Sequence, residues 1–306
     1  MFKRSWFAVF CVLAVLSVHA KEKKPLSYPS SVPKPTLRGV SYGEHERQVM
    51  DVWLADSKKP TPLVFVIHGG GWMGGTKERL KTFVDAAALL DAGISVVAIN
   101  YRLIPMADGV EPPVKISLYD AARALQFVRT QAEEWNFDKT RVGAAGGSAG
   151  ACTALWMALH DDLADPASAD PVSRESTHFN CLGLMFPQTS LDPAQMKEWI
   201  PNSKYGAHAF GRKNVAEFLA DQDEILPWIE EYSPYGLLSS DAPPSCLFYK
   251  APPALGEEQK DPTHSANFGV KFQERCRELG VECALVYPGA APASYATPTD
   301  YFIQTL

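Results

Sequence analysis

Basic charge is in short supply in this chain: 29 Lys and Arg stand against 35 Asp and Glu, a formal net charge of −6. With no basic stripe to set against a phosphate backbone, nucleic acid is excluded as an expected partner. Cysteine is sparse as well. The six residues match no metal-ligand spacing and are too thinly spread for a disulfide scaffold. No internal repeat is present, which excludes solenoids and propellers. Apolar runs of spanning length are missing: the longest, Trp6 to Val18, falls short of the roughly 20 residues a membrane helix needs. No Gly-Lys-Ser or Gly-Lys-Thr follows either glycine cluster, which excludes a phosphate loop. No spacing implies a metal or an organic cofactor, and none is expected.

What is present begins with Lys3 and Arg4 ahead of that apolar run, closed by Val18-His19-Ala20. This reads as a secretory signal over residues 1–20 with cleavage after Ala20; the competing reading is a membrane anchor. The expectation is a secreted or periplasmic protein without stable membrane insertion. Residues 21–36, "KEKKPLSYPSSVPKPT", offer almost nothing to bury and read as a linker or mobile arm. One domain is expected over 37–306. Without Lys3 and Arg4, 27 basic residues face 35 acidic ones, so the mature chain carries about −8. Five cysteines remain, Cys152, Cys181, Cys246, Cys276 and Cys283. They read as buried thiols, with a single Cys276–Cys283 bridge as the alternative that an oxidising compartment would allow.

Six short apolar runs recur at 62–67, 94–99, 141–146, 181–186, 245–250 and 283–287. Their hydrophobicity is continuous rather than alternating, as in parallel strands covered on both faces. Between them, 77–93, 117–135 and 265–280 carry apolar residues at helical spacing, the first and last ending in Gly. Strand, helix, strand is the pattern of a doubly wound α/β fold. Ahead of these, 38–56 holds a turn at Tyr42-Gly43-Glu44 between two extended halves, suiting an antiparallel edge hairpin. The interval 187–244, with many aromatics and no clean helical stripe, reads either as a small lid over the strand ends or as an enlarged crossover.

Chemistry concentrates at Gly146-Gly147-Ser148-Ala149-Gly150, a G-x-S-x-G between a buried strand and the helical "ACTALWMALH". Such a turn holds a serine in a strained conformation with its hydroxyl exposed above the sheet, and bulk at Gly146 or Gly150 would collide with neighbouring elements. His68-Gly69-Gly70-Gly71-Trp72 follows another buried strand. There, successive glycines let backbone amides turn to one point, where with the Ala149 amide they would hold the oxygen of a tetrahedral intermediate.

"HGGGW", "NYRLIP" (100–105), "YDAARALQFVR" (119–129) and "GGSAGA" (146–151) resemble the α/β-hydrolase superfamily, in particular the esterase and lipase branch related to hormone-sensitive lipase and to feruloyl and acetylxylan esterases. The resemblance runs from about Gly39 to Tyr287 and is densest before Ala158. It implies an α/β-hydrolase fold with a mostly parallel doubly wound sheet, in which the interval of about 187–244 is the lid-like insertion or the enlarged crossover. It also implies Ser148 as nucleophile, Gly70, Gly71 and Ala149 as oxyanion donors, an acid in the loop after strand 245–250, and a histidine after the last strand. His68 belongs to the motif as a shaper of the loop. Asp120 and Tyr101-Arg102 read as braces.

The pattern breaks at the base. No histidine follows His264; Tyr295 or Ala296 stands about where one is due. Asp261, in "DPTH", has the acid's position, with a turn carboxylate ahead of Pro262 as the equal alternative. His264, three residues on, is either a substitute base that swings towards Ser148 or a loop-packing residue. His160, His178 and His208 read as surface or packing histidines. Two functions follow from different classes. One is a serine hydrolase acting on small-molecule or polysaccharide carboxylic esters. The other is a degenerate homologue that binds a carbohydrate or ester without turning it over.

Overall fold

The computed structural model describes residues 26–291 and 294–306. The signal expected over 1–20 lies outside the described residues. Among those described, no helix is long and apolar enough to cross a membrane.

Eight strands form one sheet in the order β1-β2-β4-β3-β5-β6-β7-β8. The hairpin β1 (Leu37–Ser41) and β2 (Val49–Trp53) is antiparallel and joins β4 (Ser95–Ile99) antiparallel. From there to β8 every pairing is parallel: β4 with β3 (Thr61–Ile67), then β5 (Phe137–Gly147), β6 (Cys181–Met185), β7 (Ser245–Phe248) and β8 (Cys283–Val286). All residues of β3 and β4 are buried, as their unbroken apolar runs require.

Helices cover both faces. On one lie α2 (Lys115–Thr130), α3 (Ala149–Leu159) and α8 (Asn267–Leu279), whose Leu118, Leu125, Trp156, Phe268 and Phe272 join the larger core. On the other lie α1 (Ala86–Asp91) and α9 (Pro298–Thr305). Gly280, at φ +73, ends α8 with the left-handed cap its sequence announces. The single helix expected over 77–93 is instead a 3-10 turn, Lys77–Thr82, then α1. The break arises because Asp85 caps α1 by accepting from the amides of Ala87 and Ala88, while Phe83 turns inward beneath Gly147.

Residues 187–244 contain α4 (Pro193–Trp199), α5 (Val215–Ala220), α6 (Leu226–Tyr232) and α7 (Pro234–Leu237). Met196, Trp199, Phe210, Phe218 and Ile229 from this stretch pack into the larger core rather than into a separate one.

The five described cysteines are free thiols, and the alternative Cys276–Cys283 bridge does not form. The Cys283 thiol donates to Ala284 O at 3.9 Å, and four of the five are buried, as small apolar residues. The tract expected as a linker is not free over 28–36. Tyr28 stacks edge-on against Trp53 at 5.1 Å and donates its hydroxyl to Asp51, Val32 is buried, and Trp53 Nε1 donates to the carbonyl of Pro33. Its few apolar residues are spaced to pack against Asp51 and Trp53 of β2, which composition alone conceals.

Strand order reverses around β3: the chain passes from β3 out to β4, then back across to β5. Loops leaving the carboxyl ends of β3 and β5 therefore diverge and open a crevice between them, the usual ligand position in such sheets. The glycine loop after β3 and Ser148 after β5 both stand at that crevice.

Candidate active site

Ser148 has φ 53 and ψ −126, a conformation non-glycine residues rarely adopt. The surroundings enforce it. Its amide donates to Met185 O at 2.9 Å, tying the turn to β6. A Cβ on Gly150 would lie 2.2 Å from Ile67 O, and one on Gly146 2.7 Å from the same oxygen. The small residues around the serine are thus imposed by backbone passing within contact distance of backbone.

On the other wall Gly70 and Gly71 take φ +129 and +61. Among the described residues, the amides of Gly70, Gly71 and Ala149 donate to no protein acceptor. The loop carrying the first two is held from outside. His68 Nδ1 donates to Gly69 O at 2.9 Å, and its ring stacks on Tyr101 at 4.2 Å. Tyr101 donates its hydroxyl to His68 O, and Arg47 reaches Tyr101 O, Gly75 O and, at 3.4 Å, His68 Nε2. Burial above all, with the positive charges of Arg47 and Arg79, pushes the His68 imidazole down to about 3 against a weaker pull from Gly69 O. A neutral ring with its proton on Nδ1 fits both contacts. His208 Nε2 donates to Gly71 O at 2.9 Å from the far side.

Asp261 and His264 stand on one turn. Pro262–His264 is a 3-10 turn, a geometry in which positions i and i+3 eclipse, so Asp261 and His264 face each other. His264 Nδ1 lies 2.9 Å from Asp261 Oδ2, and His264 Nε2 lies 3.0 Å from Ser148 Oγ. The contacts define the tautomer: Nδ1–H donates to the carboxylate, leaving Nε2 to accept the serine proton. The turn is braced by Gln188, buried, whose amide donates to Thr263 O, and by the ring of Phe186, 5.8 Å from that of His264. The side chains of His264 and Asp261 nevertheless remain 35% and 65% exposed.

These groups line one cleft of about 970 Å³, which includes Gly70, Gly71, Ser148, Asp261 and His264; Ala149 lies buried just beneath the serine. No described residue after Ser265 reaches it. The chain beyond β8 is drawn to the opposite face, where Tyr295 packs edge-on to Tyr301 and the Phe302 ring fills the space left by Gly143 and Gly183. Tyr295, standing where a histidine is due, is thereby engaged elsewhere. His160 bonds Glu231 and His178 bonds the carbonyl of His160, both far from the serine along α3. Arg102 pairs with Asp120 through several hydrogen bonds and braces the loop after β4.

Three contributors escape a reading of the sequence alone. His208, expected to be a surface or packing residue, holds the carbonyl of Gly71; Arg47 ties the carbonyl of Gly75 and the ring of His68 to the carbonyl of Tyr101; Gln188 holds the turn that carries His264. Each comes from an element far along the chain, and nothing in its local sequence signals the contact.

Among known proteins, the family model BD-FAE matches residues 50–251. Carboxylesterase NlhH of Mycobacterium tuberculosis is 35% identical over 257 residues, covering 76% of this chain and 70% of that one. A probable isoprenylcysteine alpha-carbonyl methylesterase of Arabidopsis thaliana is 29% identical over 144 residues, 47% of this chain; the match spans only 29% of the relative's length. An acetyl ester-xyloside bifunctional hydrolase from Caldicellulosiruptor lactoaceticus superposes with a TM-score of 0.63 at 23% identity, covering 86% of this chain and 89% of that structure. With the strained serine after β5 and the glycine loop after β3 in the same sheet order, the chain belongs to the BD-FAE family, within the esterase and lipase branch of the α/β-hydrolases.

Proposed function

We propose that this protein hydrolyses carboxylic esters outside the cytosol, with acyl groups on polysaccharide as its substrate class. Ser148 is the nucleophile, His264 the base, Asp261 its orienting acid, and Gly70, Gly71 and Ala149 the oxyanion donors. The observation that carries the reading is the pair of contacts at His264, 3.0 Å to the serine hydroxyl and 2.9 Å to the carboxylate.

In this reading His264 Nε2 takes the Ser148 proton as Oγ attacks the ester carbonyl. The tetrahedral oxygen gains charge where the free amides of the glycine loop and Ala149 await it. His264 then returns the proton to the departing alcohol, and water, activated by the same nitrogen, releases the acid. Residues 37–306 act as one hydrolase unit, with 187–244 as its lid-like cover: Tyr205 from that stretch lines the cleft and His208 steadies its floor. Placement outside the cytosol rests on the apolar N-terminal tract behind Lys3 and Arg4. The polysaccharide assignment draws on the likeness to the acetyl ester-xyloside bifunctional hydrolase.

Labelling with a fluorophosphonate probe and hydrolysis of 4-nitrophenyl acetate test this. Both are expected in the wild type, with turnover lowered on the order of 10⁵–10⁶-fold in Ser148→Ala and at least ~10³-fold in His264→Ala. A silent wild type that binds a glycan would establish the non-catalytic reading instead. Undiminished turnover in His264→Ala would remove that residue as the base.

A further inference from the structure

Resting on the esterase reading, we infer that the cleft takes esters that themselves carry a carboxylate. Arg79, Lys250 and Lys260 all line it, brought together from the 3-10 turn after the glycine loop, the end of β7 and the loop before Asp261. None has a carboxylate partner within 4 Å among the described residues, whereas Lys77, Arg102 and Lys271 do. Two acids share the cleft, Glu258 and Asp261, and the second is engaged by His264. Three basic groups against two carboxylates leave the cleft one positive charge ahead in a chain of net charge −6, against the bulk of the molecule, and such a local excess favours anions near the serine.

Lys250 is the most directed of the three. Its Nζ sits 5.0 Å from the centre of the Phe186 ring, and that ring lies 5.8 Å from His264. An aromatic face holds the ammonium in place while leaving its hydrogens free for an incoming anion. Phe186 itself is at φ 52, an outlier for a bulky residue, and its backbone N–H donates a hydrogen bond to Phe248 O. The Phe186 ring thus touches both the His264 ring and the Lys250 ammonium, and all three line the cleft with Ser148. In the proposal, an acid group on the substrate meets Lys250 while the ester carbonyl meets Ser148.

The carboxylate has two possible sources, the sugar as a uronate or the acyl part as a half-ester of a dicarboxylic acid. Two comparisons separate them: acetylated oligogalacturonate against acetylated xylo-oligosaccharide, and 4-nitrophenyl hydrogen adipate against 4-nitrophenyl hexanoate. In at least one pair the anionic ester is expected to be favoured about tenfold or more in kcat/KM at low salt, the ratio falling towards one at ~1 M salt. Lys250→Met and Arg79→Met are each expected to cut that ratio roughly three- to tenfold. The pair showing the effect identifies the source. Equal or faster use of the neutral ester in both pairs, or a ratio indifferent to salt, overturns the proposal. Should no ester turn over, the esterase reading fails but this one is still decided by titration calorimetry on Ser148→Ala. Tighter binding of oligogalacturonate or adipate than of xylo-oligosaccharide, weakened by Lys250→Met, supports it; equal or absent binding rejects it.

Discussion

The two halves of the site are built to different standards. The half around the serine, from His68 to Trp72 and from Gly146 to Gly150, is anchored in the core at His68, Gly69, Trp72, Ala149 and Gly150, with Gly70, Gly71 and Ser148 opening on the cleft, and several contacts fix the loop. The other half is a single half-exposed turn, Asp261 to His264, secured by Gln188 and by the reciprocal bonds between Asn202 and Gln259 at 2.8 and 3.0 Å. The difference suits the chemistry each would perform in the proposed reaction. Amides stabilise a developing negative charge best when they are already aimed and dry. An imidazole needs one good hydrogen bond to a hydroxyl and tolerates water behind it. Damage to the first half should therefore register as lost folding, and damage to the second as lost turnover.

The sharpest way to break that contrast is Gly150→Ala. Its Cβ would meet Ile67 O at 2.2 Å and His68 O at 2.5 Å, both backbone atoms of the sheet that cannot step aside. A loss of roughly 3 kcal/mol or more is expected, seen as a lower denaturant midpoint. An unmoved midpoint would mean that the elbow is looser than its contacts imply.

Acid supplies a second probe of the same half. Unfolded, His68 titrates near its ordinary 6.5; folded, burial holds it near 3. Between those values the unfolded chain binds one more proton, so the contribution to stability is present above about 6.5 and is lost as pH falls towards 3. The full loss is about 3–5 kcal/mol as an upper bound. Stability measured by urea unfolding across that window should fall with acid in the wild type and fall less steeply in His68→Gln. Identical slopes would show that the imidazole is not held neutral.

The same division governs how far the molecule can be read from its sequence. Elements covered on both faces are legible, because burial forces unbroken apolar runs: β3, β4 and β6 lie within a residue or two of their expected bounds. The elbow is legible because backbone crowding leaves only glycine at Gly146 and Gly150. The helix over 77–93 is not, since its apolar spacing continues through a cap at Asp85 that redirects the chain. Arg47 and His208 leave no local trace, their contacts being set by where the β1–β2 hairpin turn and the 187–244 insertion bring them. The placement of His264 beside Ser148 is half legible. The spacing from Asp261 to His264 allows a shared turn, but only the approach of that turn to Ser148, fixed by β6 and Gln188, gives the spacing its meaning.

The smallest expected effect bears on the exposed turn. Asp261→Asn keeps an acceptor beside His264 Nδ1 while removing the charge that steadies the imidazolium formed during attack. For a buried triad aspartate that exchange costs about 10⁴-fold in turnover. Here the carboxylate is 65% exposed, and water screens its attraction to the ring, so an ion pair of this kind contributes no more than about 1 kcal/mol. Allowing as much again for orientation of the ring, a loss of roughly 10- to 100-fold in kcat is expected, with KM little changed. Steady-state kinetics on 4-nitrophenyl acetate and on a bulky acylated oligosaccharide separate the possibilities. If the small ester shows the modest loss and the large one approaches 10⁴-fold, substrate itself dries the turn, and the contrast between the two halves exists only while the cleft is empty.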